Sequence, residues 1–74
     1  MNLKQYQLGE IKYQYSLQSK KWEFLLPSLN TVFLAKCPGR NLTAQKVAKI
    51  LVGAMKRGSV DGLARNAISR LGVI

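Results

Sequence analysis

The residues of this chain best suited to bind a polyanion are three lysines in the segment 42–58, LTAQKVAKILVGAMKRG. Lys46, Lys49 and Lys56 recur at helical spacing, and at about 100° per residue they share one arc of about 80°. No acidic residue lies within a helical turn of any of them, whereas helices that carry charge only for solubility usually mix both signs. The spacing therefore predicts a basic helix face that contacts phosphate groups, with a merely solvated face as the alternative.

The chain as a whole is strongly basic. Its 74 residues include 12 lysines and arginines but only 3 acidic residues, which gives a net charge of +9. An excess of this size is typical of proteins whose partner is RNA, DNA, an acidic protein or an anionic membrane. The predicted nucleic-acid-binding residues lie in the basic helix, in the loop before it and in an earlier polar turn: Arg40, Lys46, Lys49, Lys56, Arg57, Lys20 and Lys21.

Side chains that commonly carry catalysis are scarce. There is no histidine, the most frequent general base and metal ligand, and the acidic residues are Glu10, Glu23 and Asp61. A catalytic carboxylate pair would require Glu10 and Glu23 to meet across a hairpin. A single cysteine without histidine forms neither a zinc site nor a Cys–His pair. We therefore expect a non-catalytic protein that needs no cofactor and no metal.

Cys37 precedes a Pro-Gly turn and allows two interpretations. Positive charge on Lys36 and Arg40 would lower the pKa of the thiol and make it reactive. The favoured interpretation is a small apolar packing residue at the end of a strand, because isolated cysteines are usually buried.

Alternating apolar and polar residues predict a small antiparallel sheet ahead of the basic helix. Residues 11–17, IKYQYSL, and residues 22–26, WEFLL, alternate with a two-residue period across a polar turn, which is typical of a hairpin. Residues 31–36, TVFLAK, are apolar on both faces and predict a third strand, the most buried of the sheet. The first ten residues have no clear period and fit either a short helix or a frayed strand.

Aromatic residues all fall within the first 33 positions. One face of the first predicted strand carries Ile11, Tyr13, Tyr15 and Leu17. This alternation favours a core role for the tyrosines, and the same role is expected for Trp22, Phe24 and Phe33. The alternative is a sheet whose exposed aromatic rings stack on nucleic-acid bases.

Two helices are expected after the strands. The first spans residues 42–57, is capped by Asn41 or Thr43, and has an apolar face formed by Val47, Ile50, Leu51, Ala54 and Met55. The second is capped by Ser59 and has Asp61 in its first turn. Its apolar stripe consists of Val60, Leu63, Ala64, Ala67, Ile68 and Leu71, and Gly72 ends it.

These elements predict an α+β fold in the order β-β-β-α-α. A three-stranded antiparallel sheet would carry the two C-terminal helices on one face. The first helix then packs its apolar face on the sheet and keeps its lysines in water.

Residues 22–55, WEFLLPSLNTVFLAKCPGRNLTAQKVAKILVGAM, resemble the later part of HicA-type proteins, which are small basic toxins with a fold like the double-stranded-RNA-binding domain. The shared features, in chain order, are Phe24, Pro27, Thr31-Val32, Pro38-Gly39, Leu42 and Ile50-Leu51. The catalytic histidine of that family belongs to a Gly-Ser-His segment just before the phenylalanine strand, and here that place reads QSKKWEF. The resemblance therefore implies the fold and an affinity for RNA, but not ribonuclease activity.

A single domain over residues 1–74 is expected in the cytoplasm, because neither a signal peptide nor an apolar run long enough to span a membrane is visible. A chain this short buries a modest core, so a homodimer or another partner is expected to add stability. The leading hypothesis is a small non-catalytic protein that binds nucleic acid, RNA in preference to DNA. The competing hypothesis is an interaction module, a small subunit or inhibitor, whose basic face docks on an acidic protein or a ribonucleoprotein.

Overall fold

The computed structural model describes residues 4–37 and 41–73. Its strands and helices are β1 (Tyr6–Leu8), β2 (Ile11–Ser16), β3 (Lys21–Leu26), β4 (Thr31–Ala35), α1 (Asn41–Arg57) and α2 (Gly62–Ser69). The four strands form one antiparallel sheet in the order β1-β2-β3-β4. α1 packs against β1, β2 and β3, and α2 packs against α1. The predicted α+β class, an antiparallel sheet with two C-terminal helices, is therefore confirmed.

The sheet has four strands, so the predicted count of three is wrong. The additional strand is β1, whose residues Tyr6 and Leu8 lie opposite Tyr13 and Ile11 of β2. Gly9 forms the tight turn between the two strands with φ = +60°, a conformation that side chains disfavour. A strand of 3 residues is too short to show a two-residue period, so the sequence pattern does not distinguish it from a short helix.

β2 and β3 form the predicted hairpin. Tyr13 lies opposite Phe24, and both side chains are buried on the face that the helices cover. The prediction that Leu17 shares this face is wrong, because its side chain is 57% exposed. β2 ends at Ser16, and the turn that follows carries Leu17 out of the alternation.

Aromatic rings stack across the sheet on the face covered by the helices. Tyr13 stacks on Phe24 with 5.3 Å between ring centroids and on Tyr6 with 5.4 Å. Trp22 is buried beside Tyr13, and Phe33 of β4 is half-buried against Phe24. The core role predicted for Tyr13, Trp22 and Phe24 is thereby confirmed, and their burial leaves these rings unable to stack on bases.

α1 has the predicted division into an apolar and a polar face. Val47, Leu51 and Ala54 are fully buried, and Ile50 and Met55 are half-buried. The five residues recur at the spacing of one helix face, so the period of the sequence sets which side of α1 packs inward. The side chain of Asn41, a predicted cap of this helix, lies outside the described residues.

α2 begins later than predicted, but most of its predicted apolar stripe is buried or half-buried: Val60, Ala64, Ala67, Ile68 and Leu71. Asp61, rather than Ser59, is its cap: the carboxylate accepts a 2.9 Å hydrogen bond from the backbone N–H of Ala64. Ala64 and Ile68 are buried, whereas Leu63 is 67% exposed and does not belong to the apolar stripe. Leu63 lies one position off the line that joins Ala64 to Ile68, about 100° around the helix.

β4 is an edge strand and not the most buried strand of the sheet. Phe33 and Ala35 face the core, but Val32 and Leu34 lie on the opposite face and are 52% and 43% exposed. Within the described residues the helices pack on the other face of the sheet, so Val32 and Leu34 of β4 stay exposed. The composition of β4, apolar on both faces, is typical of a strand that is covered on both sides. The prediction that β4 is the most buried strand fails because this sheet is covered on one side.

Candidate nucleic-acid interface

The outer side of α1 carries three lysines that stand clear of the core. Lys46, Lys49 and Lys56, here called the α1 basic face, are exposed, whereas Val47 and Leu51 are fully buried. At 1.5 Å per residue, Lys46 and Lys56 are about 15 Å apart along the helix axis. One strand of a duplex presents about four phosphates over that distance, at roughly 3.4 Å each. The face is long enough to contact several phosphates of one strand.

None of the chain's acidic residues forms an ion pair with the α1 basic face. Asp61 is bound by Arg57, and the carboxylate of Glu10 accepts a 2.6 Å hydrogen bond from the hydroxyl of Ser28. Glu23 belongs to the sheet face turned away from the helices, because its neighbours along β3 are buried. Within the described residues, which include all three acids, Arg57–Asp61 is the one ion pair.

Arg57, a predicted phosphate contact, is held by Asp61. Two guanidinium nitrogens donate to the two carboxylate oxygens at 2.7 and 3.2 Å. The guanidinium also passes over Gly53, where a side chain would begin 3.4 Å from it. The hydrogen bonds from Arg57 and from the Ala64 amide lower the pKa of Asp61 to about 2. Asp61 in turn raises the pKa of Arg57, so the pair stays ionised and adds little net charge.

Lys56 lies nearer to negative charge than the other two lysines of the α1 basic face. It lines a shallow cleft together with Glu10, Val52 and Met55, at the end of α1 that meets the β1–β2 turn. Glu10 compensates part of the field there, since opposite charges attract even without a direct contact. Lys46 and Lys49 are therefore the centre of the uncompensated charge.

The other predicted contacts belong to separate elements. Lys20 is exposed in the β2–β3 turn with φ = +58°, and Lys21 is the first residue of β3. Trp22 pairs with Ala35, so this turn and the end of β4 lie at the same end of the sheet. Arg40 lies outside the described residues. The structure thus brings Lys46, Lys49 and Lys56 together on one face, and it places the hairpin lysines on another element.

Two further cations occupy positions that the helical spacing does not mark. Lys12 lies on the open face of the sheet, between the buried Ile11 and Tyr13. Arg65 lies at a cleft beside β4, where its Nε donates to the carbonyl of Val60 at 3.3 Å. The alternation of β2 identifies the place of Lys12, but that of Arg65 depends on a tertiary contact that no local pattern shows.

Cys37 follows β4, Glu10 lies in the β1–β2 turn and Glu23 lies in β3. Cys37 is 7% exposed, and burial raises the pKa of its thiol to about 11. The packing interpretation is therefore confirmed, and a thiol with a lowered pKa is wrong. Glu23 lies opposite Gln14, which is four residues along the chain from Glu10, so at about 3.3 Å per residue the backbone positions of the two acids are about 13 Å apart. Within residues 4–37 and 41–73 no cluster of three His, Cys, Asp or Glu residues could hold a metal ion.

No helix in the described part of the chain combines the length and apolarity needed to cross a bilayer. No family model matches the chain, and no curated protein or solved structure is significantly similar to it. Its function is therefore inferred from its own residues, charges and contacts.

Proposed function

We propose that this protein binds nucleic acid without catalysing a reaction, with RNA preferred over DNA. The observation that carries the proposal is the α1 basic face, where Lys46 and Lys49 are exposed while the three acidic side chains, all within the described residues, are engaged elsewhere or lie on another surface. Unopposed charge on a small domain lowers stability through self-repulsion, and a bound polyanion relieves it. Phosphate groups along one strand supply such a polyanion at a spacing that the helix can match.

Contacts to phosphates, rather than to base edges, dominate the proposed complex. Lysine ammonium groups are flexible point charges, and phosphate contacts carry little sequence information. We therefore expect weak sequence preference and a steep dependence of affinity on salt. The preference for RNA is supported by the resemblance of residues 22–55 to HicA-type proteins. The QSKK segment that replaces their histidine motif lies at the β2–β3 turn, which fits a binding role without cleavage.

Charge reversal on two surfaces tests the proposal. Lys46→Glu/Lys49→Glu is compared with Lys4→Glu/Lys12→Glu, which changes the net charge equally at two exposed lysines outside the predicted contacts. Affinity for a fluorescent RNA hairpin, and for DNA of the same sequence, is measured by anisotropy over a range of salt concentrations. We expect the α1 variant to lose at least about tenfold in affinity, or ~1.4 kcal/mol, and to show a flatter salt slope.

Three results would contradict this proposal. Equal losses in the two double variants would mean that net charge alone drives binding. Unchanged affinity in the α1 variant would exclude this helix as the contact. Cleavage of RNA by the pure protein that resists chelators and is lost in Lys46→Ala would overturn the non-catalytic part.

The competing interaction-module hypothesis is separated by purifying the protein from its own cells with and without nuclease. RNA that co-purifies and is lost after nuclease treatment supports the proposal, whereas a protein complex that survives nuclease and is lost in Lys46→Glu/Lys49→Glu supports the competing hypothesis. The proposed site of action is the cytoplasm, and fractionation of the same cells tests it.

A further inference from the structure

In the part of the chain that the structure describes, no strand pairs with the outer edge of β4. β4 is last in the sheet order, and the N–H of Lys36, just beyond it, donates outward to the carbonyl of Val73 at 2.9 Å. Because N–H groups alternate in direction along a strand, those of Val32 and Leu34 point the same way as that of Lys36. Among the described residues, the C-terminal segment thus closes this edge at Lys36 and leaves the backbone groups of Val32 and Leu34 without partners.

A cleft of about 600 Å³ lies beside this edge. It is lined by β4, which contributes Phe33, by the turn between the two helices, which contributes Val60, and by Arg65 of α2. Phe33 and Val60 are half-buried and give the cleft an apolar part. At about 3.3 Å per residue, the 5 residues of β4 offer an edge of about 17 Å, which matches one extended segment of similar length.

β4 lacks the features by which natural sheets protect an edge. Its sequence, TVFLA, contains no charge and no proline, and its pairing with β3 runs without a bulge from Thr31 to Ala35. The opposite edge strand, β1, is only 3 residues long, and a short edge offers little for another chain to pair with. A long, uncharged edge beside an open cleft is the arrangement used for strand addition.

The charge of the cleft indicates what would fill it. The hydrogen bond from Arg65 Nε to Val60 holds the guanidinium beside the edge, and within the described residues its terminal nitrogens have no partner. None of the three acidic residues lines the cleft, and the chain carries +9. The complementary occupant is therefore an acidic one.

We propose that β4 takes up an extended acidic segment of a partner protein as a fifth strand. The backbone of the segment would pair with Val32 and Leu34, its apolar side chains at alternate positions would enter the cleft at Phe33 and Val60, and a carboxylate would bind Arg65. A second copy of this chain is a poorer occupant, because it would bring another net charge of +9 to the same edge. This surface is distinct from the α1 basic face and does not depend on it.

Two synthetic peptides of equal charge test the proposal. The probe alternates glutamate with valine and is matched in length to β4, and the control has the same sequence with an N-methyl group on every residue. The control keeps the charge but has no backbone N–H on either edge with which to pair as a strand. With isotope-labelled protein, we expect the probe to shift and protect the amides of Val32 and Leu34, and the control to bind at least about tenfold more weakly.

Protein variants complete the test. Arg65→Ala should weaken binding of the probe by at least about threefold, whereas Arg70→Ala, an exposed arginine that does not line the cleft, should not. Val32→Pro removes one outward N–H and should abolish the difference between the two peptides, provided that its melting curve shows a folded protein. If that variant does not fold, Arg65→Ala against Arg70→Ala still decides the question.

Several outcomes would overturn the proposal. Equal binding of the two peptides, with shifts confined to the lysines of α1, would show attraction by charge alone. A dimer seen by sedimentation and lost in Val32→Pro would make a second copy the occupant. Shifts of Val32 and Leu34 caused by RNA would assign the edge to nucleic acid. Because Lys46→Glu/Lys49→Glu should leave the contrast between the peptides intact, failure of this proposal and failure of the RNA proposal are distinguishable.

Discussion

On the outer surface of α1, Lys46 and Lys49 carry positive charge with no carboxylate beside them, whereas on the open face of the sheet Lys12 and Lys21 share the surface with Glu23. Both surfaces are exposed to water, and the sequence pattern predicts exposed lysines on both. A surface of mixed sign is adequately explained by solvation. A surface of one sign repels itself, so it indicates a partner that supplies the opposite charge.

The two surfaces arise from different backbone periods. In α1 the 3.6-residue period gathers the lysines into one arc and the apolar side chains into another. In the sheet the two-residue period sends alternate residues to each face, so Lys12 and Glu23 reach the open face because Tyr13 and Phe24 reach the core. In α1 the charged residues gathered on one arc also have the same sign. In the strands they do not, because the alternation separates polar from apolar residues but not lysine from glutamate.

The largest expected effect contrasts a leucine beneath one surface with a leucine on the other. Leu51 is fully buried on the inner face of α1, and Leu34 is 43% exposed on the open face of the sheet. Leu51→Ala should lower the free energy of unfolding by about 2–5 kcal/mol, because it removes buried methyl groups and leaves a cavity. Leu34→Ala should cost less than about 1 kcal/mol. Urea denaturation of both variants measures the difference.

A harmless Leu51→Ala would contradict the inward facing of α1. The apolar arc of the helix would then be the exposed one, and the protein would more closely fit a subunit that buries this arc against a partner. Nucleic-acid binding of Leu51→Ala, measured below its melting temperature, should equal that of the parent protein.

The sequence predicts most of what one element can show by itself. The two faces of α1 and the β2–β3 hairpin are confirmed because each repeats its period over several residues. β1 is too short for a period, and the edge position of β4 depends on which strand ends the sheet. Neither the period nor the composition of a segment contains that information.

The candidate site also divides into features that one element sets by itself and features that depend on contacts between elements. The spacing of Lys46 and Lys49 predicts their shared exposed face, which the structure shows, while their role in binding stays a prediction. The engagement of Arg57 by Asp61 is not anticipated, because Asp61 has a local role as a helix cap and the pair spans the end of α1. The place of Arg65 beside β4 depends on tertiary packing alone.

An effect of intermediate size should appear at acidic pH, where protonation of Asp61 leaves the charge of Arg57 at the end of α1 without its opposite charge. The pKa of Asp61 in the folded protein is about 2, below its ordinary value of 3.8. Its ionised form therefore stabilises the folded state fully above about pH 4, and that contribution is lost as the pH falls towards about 2. Melting temperatures of the parent protein and of Asp61→Asn should accordingly differ near neutral pH and converge across this window.

Asparagine is the suitable replacement at this position because it remains a good helix cap and removes only the charge. Glu10 and Glu23 are present in both proteins, so the difference between the two melting curves isolates Asp61. A difference that persists unchanged at the lowest pH would show that the Arg57–Asp61 pair does not stabilise the fold. Above pH 4, Asp61→Asn should also release Arg57 and increase the affinity for RNA.

The smallest expected effect compares single lysines on the two surfaces. Lys49→Ala removes one of two like charges spaced three residues apart on α1, so it should change the free energy of unfolding by less than about 0.5 kcal/mol, in the stabilising direction. Lys12→Ala should give no such gain, because its surface also holds Glu23 and alanine is disfavoured in strands. Urea denaturation at low and high salt separates the two, since salt screens repulsion between exposed charges and should erase the gain at Lys49.

RNA affinity should fall in Lys49→Ala and change little in Lys12→Ala. A Lys49→Ala protein that unfolds, or that binds RNA as tightly as the parent protein, would remove the distinction between the two surfaces.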